Sequence, residues 1–147
     1  LTHTDFVPHN FRIQQGKIFL LDHSSIIFGN KYEGWARFLN FMTLYNPPLE
    51  EALAEYVKAN RDPEEFLALQ LMRIYRLGEI IWFYTNALEK TSGDLHILEQ
   101  KRIQFWTEVL QSVLHNSPLT SETRTTYIKE RDSLRSAEEK ERQVGLH

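Results

Sequence analysis

The sequence contains no cysteine. Disulfides, thiol nucleophiles and thiolate-bound zinc are therefore excluded, and a reducing, cytoplasmic setting is the expected one. No apolar run reaches the roughly 20 residues that a membrane-spanning helix needs, and no secretory-signal pattern is visible. An excess of one charge is lacking too. Seventeen Lys and Arg face 20 Asp and Glu, a net charge of −3, so no basic surface for duplex nucleic acid is expected. Glycine and proline are few, six and five, and they punctuate the chain without forming a low-complexity tract. What remains is an ordinary globular composition, 41% hydrophobic over 147 residues, enough for one domain with a core of its own.

Residues that carry chemistry are concentrated in His3 to Asp22, HTDFVPHNFRIQQGKIFLLD. Phe11 to Ile13 reads as a short strand. Gln14 to Lys17 reads as a turn, with Gly16 able to take positive φ. Ile18 to Leu21 is continuous, apolar and partly β-branched, the pattern of a buried strand. A hairpin brings its ends together, so Asp5 and Asn10 before it and Asp22 after it are expected to converge. Residues 23–31 read as a loop. Because the chain opens on Leu1 and this site begins two residues later, the expectation is that it is the C-terminal part of a longer polypeptide.

The rest reads as helical. Trp35, Phe38, Leu39, Met42 and Tyr45 recur at spacings of three and four, giving one apolar face to a helix over 32–45. Asn46-Pro47-Pro48 stops it and starts another to about Ala59, with Leu53, Tyr56 and Val57 inward. Asp62-Pro63-Glu64-Glu65 opens a long helix to about Lys90. Its apolar residues cover much of its circumference, so it is predicted to be central and buried, with Gly78 as a close helix contact. After Ser92-Gly93-Asp94 a further helix runs to about His115, with Ile97, Ile103, Phe105, Trp106, Val109, Leu110 and Val113 as core candidates. Beyond Thr120 apolar residues are sparse and a solvated helix or tail is expected, with Glu138 and Arg142 paired across one turn. Trp35, Trp82 and Trp106 read as core, and the acids from Glu50 to Glu65 as helix starts or solvated faces.

As a pattern, His3 to Asn10 is H-x-D-x-x-P-x-N, followed after an apolar strand by Leu21-Asp22-His23. This resembles the catalytic loop and metal-binding segment of the aminoglycoside phosphotransferase and choline kinase group, which has the protein-kinase-like fold. The protein kinases usually place Phe-Gly after the second Asp, where this chain has His23-Ser24. Gly29-Asn30-Lys31-Tyr32-Glu33-Gly34-Trp35-Ala36 falls where the group has G-D-P, a short gap and D-L-A. It keeps the Gly and the final Ala and departs at Asn30, Lys31, Gly34 and Trp35. The resemblance is specific over about residues 1–36 and architectural beyond.

The resemblance implies a mainly α fold with a small β-hairpin, the C-terminal helical lobe of a kinase-like enzyme. The catalytic loop and hairpin would occupy 1–31, a helical subdomain 32–117 and a charged helix or tail 118–147. It implies transfer of a phosphoryl group from ATP or GTP to a hydroxyl of a small molecule, with Mg2+ as cofactor. Asp5 would orient the acceptor hydroxyl and take its proton; Asn10 and Asp22 would hold the metal; His3 and Pro8 would support the loop. Phosphoryl transfer asks for positioning and charge cancellation, and magnesium prefers oxygen ligands, which this set supplies. The glycine-rich loop, strand lysine and helix glutamate of the nucleotide-binding lobe have no counterpart in these residues. A fragment of this kind is expected to be inactive alone, and to self-associate or pair with the missing lobe.

Blander readings exist. Asp5 and Asn10 are common turn formers. His9 and His23 match no zinc spacing, and Ser24-Ser25 lacks a G-x-S-x-G elbow. Two rivals accompany the kinase reading: a catalytically inactive kinase-like scaffold or helical interaction module, and a metal-dependent hydrolase using Asp5, His9 and Asp22.

Overall fold

In the computed structural model, residues 1–136 and Glu139 are described. Four short strands precede five α-helices among these residues. The chain divides into two compact units, one ending at Arg76 and the other starting at Leu77.

Strands β2 (Phe11–Gln14) and β3 (Lys17–Leu20) form an antiparallel hairpin that pairs Phe11 with Leu20 and Ile13 with Ile18. Gln15 (φ 50°) and Gly16 (φ 71°) both take positive φ, as a two-residue turn matched to strand twist requires. The expected burial of this hairpin is corrected. Ile18 is 70% exposed and its cross-strand partner Ile13 75%. Only the base approaches the body: Phe11 meets the rings of Phe6 and Phe38, at 4.7 and 6.4 Å. Four-residue strands carry the tip beyond that contact, and no described element packs over it. A second ladder pairs β1 (Thr2–His3) with β4 (Ile26–Ile27), inside the segment read as loop. Two residues are too few for an alternation signal.

Helices α1 (Glu33–Tyr45), α2 (Pro47–Asn60), α3 (Pro63–Leu88) and α4 (Gly93–Leu114) lie within two residues of the expected bounds, and α5 (Ser121–Ser133) starts within two residues of its expected start. The punctuation explains this agreement. Asn46 accepts a bond from the Leu49 amide, and Thr120 one from the Thr123 amide, each satisfying a free donor at a helix start. No helix among the described residues is long and apolar enough to cross a membrane.

The first unit's core joins Tyr32, Ala36, Leu39, Val57 and Leu69, with Leu53, Phe66 and Met72 against it. The face of α1 differs from the expected one. Leu39 and Met42 are buried, but Trp35 and Tyr45 are exposed, and Asn40 and Thr43 are buried instead. Arg73 is the reason. Only 4% exposed, it donates from Nε to Asn40, from Nη2 to Thr43 and from Nη1 to Glu50, at 3.0, 3.2 and 2.6 Å. Asn40 returns a bond to the Arg73 carbonyl. Burial pulls the Arg73 guanidinium below its ordinary pKa, and the Glu50 carboxylate opposes this. Glu50 stands in the first turn of α2, as expected of a helix start, and it is also the partly buried partner of Arg73.

Nor is α3 buried all round. Leu69, Arg73 and Leu77 point inward at every fourth position, while Leu67, Leu71, Tyr75, Trp82 and Phe83 are exposed. Gly78 has open space where a side chain would stand, so it marks no close contact. Tyr56 of α2 also faces out.

In the second unit, α4 and α5 share a core of Leu98, Phe105, Trp106, Val109 and Tyr127, with the Phe105 and Tyr127 rings stacked at 4.1 Å. Ile97 is exposed, and Leu98 takes the inner position assigned to it. Tyr127 makes α5 a packed helix, where the sequence suggested a solvated one. A cavity of about 270 Å³ beside it is lined by Lys101, Glu108, Glu122 and Glu130 among others. Lys101 and Glu130 pair across it at 2.8 Å. The expected Glu138–Arg142 pair lies outside the described residues.

Candidate functional site

The loop between β1 and β2 folds back on itself. The Val7 amide bonds the Asp5 carbonyl, and the Asn10 amide bonds the Val7 carbonyl, both at 3.0 Å. Val7 is buried beneath it. Pro8 opens a single 3₁₀ turn, Pro8–Asn10, where its fixed φ fits and no amide is needed. This turn aims the Asn10 side chain at Asp5. Asn10 Nδ2 donates to the Asp5 carbonyl and to Asp5 Oδ2, each at 2.8 Å.

Three ties join this loop to the far end of the hairpin. The Asn10 carbonyl accepts from the Leu21 amide at 2.7 Å. His3, 6% exposed, brings Nε2 to 3.1 Å from the Leu21 carbonyl and 3.0 Å from that of Asp22. Thr4 donates its amide and hydroxyl to the Ser25 carbonyl, at 2.9 and 3.2 Å. The main chain at Asn10 is therefore tied to that at Leu21, with His3 as the buried peg beneath Leu21 and Asp22.

Asp22 adopts a left-handed conformation, φ 55° and ψ 63°, which Asp tolerates better than most residues. Its carboxylate is exposed and accepts from the Ser24 hydroxyl at Oδ1 and the Ser25 hydroxyl at Oδ2. These two bonds, Ser24 first, hold its pKa below the usual carboxylate value.

Asp5 has different company. Arg37 Nη2 of α1 lies 2.6 Å from Asp5 Oδ1, and His9 Nε2 lies 4.0 Å from Oδ2. The start of α1 presses on the loop: a Cβ at Gly34 would stand 2.6 Å from the His3 carbonyl oxygen and 3.1 Å from Phe6 Cβ. Only glycine fits that approach. Arg37 was missed by sequence reasoning. Its one signal is a basic residue on the helix after the site, three positions from Gly34 and hence on the same face. Ser24 and Ser25 were weighed only as nucleophiles; their role here is to hold Asp22.

The donor set suits a hard cation. With Nδ2 given to Asp5, Asn10 keeps Oδ1 as a neutral acceptor without a hydrogen bond among the described residues. Each Asp22 oxygen retains acceptor capacity beyond its serine. One amide oxygen and one carboxylate match magnesium's preference and leave positions for water and phosphate oxygens. Among the described residues, no group of three or more His, Cys, Asp and Glu side chains is placed to hold a metal.

No protein-family model, no curated protein and no solved structure matches the chain.

Proposed function

We propose that the chain carries the acceptor-activating and magnesium-binding half of a phosphotransferase, which moves a phosphoryl group from ATP or GTP to a hydroxyl of a small molecule. The observation that carries this reading is Asn10. One side chain grips the Asp5 carboxylate with its nitrogen and keeps its oxygen unbonded among the described residues, while the Asn10 carbonyl accepts from the Leu21 amide, next in sequence to Asp22. A mere turn would not need a base, an amide and a second acid tied together across 17 residues.

Asp5 orients the acceptor hydroxyl and receives its proton as the oxygen attacks the γ-phosphorus. The new O–P bond forms while the bond to the β-phosphate oxygen breaks, and that electron pair leaves with the nucleoside diphosphate. Asn10 and Asp22 hold magnesium, which when bound offsets charge on the phosphate oxygens. His3 keeps the Asp22 main chain in place, and Pro8 presents Asn10. The reading requires a nucleotide-holding lobe outside residues 1–147, and a cytoplasmic location goes with its use of nucleoside triphosphates.

The test is a transfer assay on the complete gene product with magnesium, ATP or GTP, and a panel containing an aminoglycoside, choline and simple sugars. Transfer is expected to at least one acceptor class and to fall by about 10²- to 10⁴-fold in Asp5→Ala. No transfer to any acceptor, or an Asp5→Ala protein as active as wild type, would overturn the proposal.

A further inference from the structure

Asp5 is gripped from two sides, and only one grip comes from its own loop. Asn10 holds Oδ2, whereas Oδ1 is buried, accepts no hydrogen bond, and lies against the Arg37 guanidinium at 2.6 Å. The Asp5 side chain is 29% exposed, so Oδ2 is the carboxylate oxygen that can face an incoming molecule. Arg37 thereby decides which oxygen of the base is presented.

The basic residues of the first unit's helices differ in a way that supports this. Arg73 is bound to Asn40, Thr43 and Glu50, and Arg76 to Glu33 of α1; both brace helix against helix. For Arg37 the only polar partner among the described residues is Asp5, and its buried Nε has none. Its side chain is 41% exposed, so it fills no core position. A bracing arginine would have been given further acceptors. Gly34, one turn earlier, lets α1 lie close enough for the contact.

We infer that Arg37 is a positioning residue for the phosphoryl-transfer base: it pins Asp5 Oδ1 inward and presents Oδ2, steadied by Asn10, to the acceptor hydroxyl. This rests on the phosphotransferase reading above. No bond is made or broken by Arg37; the proton still passes from the acceptor to Asp5. A base free to rotate would meet the hydroxyl off-line, and misplacement by about 1 Å costs on the order of 100-fold in rate.

Two measurements test it together. In the complete gene product, Arg37→Ala is expected to lower kcat by about 10- to 100-fold with the nucleotide KM unchanged. Arg37→Lys should recover part of this loss, and millimolar methylguanidinium should partly restore Arg37→Ala. In the 147-residue chain, the Arg37 guanidinium should show slowed rotation by NMR that disappears in Asp5→Asn. An Arg37→Ala protein with full kcat overturns the inference while the phosphotransferase reading stands. So does a loss that follows melting temperature and answers to neither lysine nor methylguanidinium. Freely rotating Arg37 in the wild-type chain also overturns it. A wild-type gene product without any transfer overturns the phosphotransferase reading and the role of Arg37 with it, even where NMR reports the ion pair.

Discussion

Asp5 and Asp22 stand at opposite ends of one hairpin and are held by opposite means. Asp5 is partly buried and gripped by Asn10, five residues on, and by Arg37, from a helix 32 residues away. Asp22 lies in solvent and is gripped by Ser24 and Ser25, its neighbours in sequence. The Arg37 grip exists only when α1 is seated; the serine grip on Asp22 is a local turn. On the proposed reading Asp5 is a base, which must meet one oxygen of one substrate, and Arg37 makes its orientation depend on the tertiary fold. A metal ligand is oriented by the metal and needs only to be charged and near.

The comparison can be broken most forcefully beneath α1. Arg73→Met leaves Glu50 partly buried without its cation and is expected to cost about 3–5 kcal/mol, read by urea unfolding. Arg37 then loses its platform, whereas the Asp22 turn keeps its serine bonds. A cost under about 1 kcal/mol would mean the buried network is not what seats α1.

A smaller blow falls at the contact itself. Gly34→Ala sets a methyl against the His3 carbonyl and is expected to cost about 1–3 kcal/mol, as overpacking does. Amide shifts by NMR should concentrate at His3 to Phe6 and be slight at Ser24 and Ser25. Equal shifts in both places would contradict the separation.

The local half is tested by Ser24→Ala with Ser25→Ala. Asp22's pKa, now below its ordinary value, should rise towards it in a carboxyl NMR titration. A depressed carboxylate contributes stability that is present above its unfolded pKa and lost as pH falls through the lowered folded value. The double variant should therefore lose less stability on acidification, with Asp5 contacts unchanged. An unmoved Asp22 titration would show that the serines do not hold it. Least of all is expected from Ile13→Thr with Ile18→Thr, within about 0.5 kcal/mol of wild type, since both side chains are mostly in solvent.

Much of the helical frame was legible because proline, glycine and capping residues mark chain direction locally. Asp62-Pro63 and Asn46-Pro47 announce helix starts whatever packs against them. The residues Asp5, Asn10 and Asp22 were legible as a pattern around a turn, and the ties through His3 and Asn10 join the main chain of the loop to Leu21. Which apolar residues are covered was not legible. Periodicity assigns a face to a helix, but Asn40 and Thr43 face inward because Arg73 of α3 needs acceptors there, and that need is written elsewhere in the chain. Ile18 and Trp82 look like core by composition and lie outside because no described element reaches them. Arg37 escaped for the same reason: its meaning comes from Gly34, which first looked like a departure from a motif and is the point where α1 meets the loop.

The most direct measurement compares the two carboxylates in one assay: phosphoryl transfer by the complete gene product across a range of magnesium concentrations, for wild type, Asp5→Asn and Asp22→Asn. The account expects the Asp22→Asn loss to shrink as magnesium rises and the Asp5→Asn loss to stay constant. Losses that respond to magnesium alike, or an Asp5→Asn protein with wild-type rate, would contradict the division into base and metal ligand.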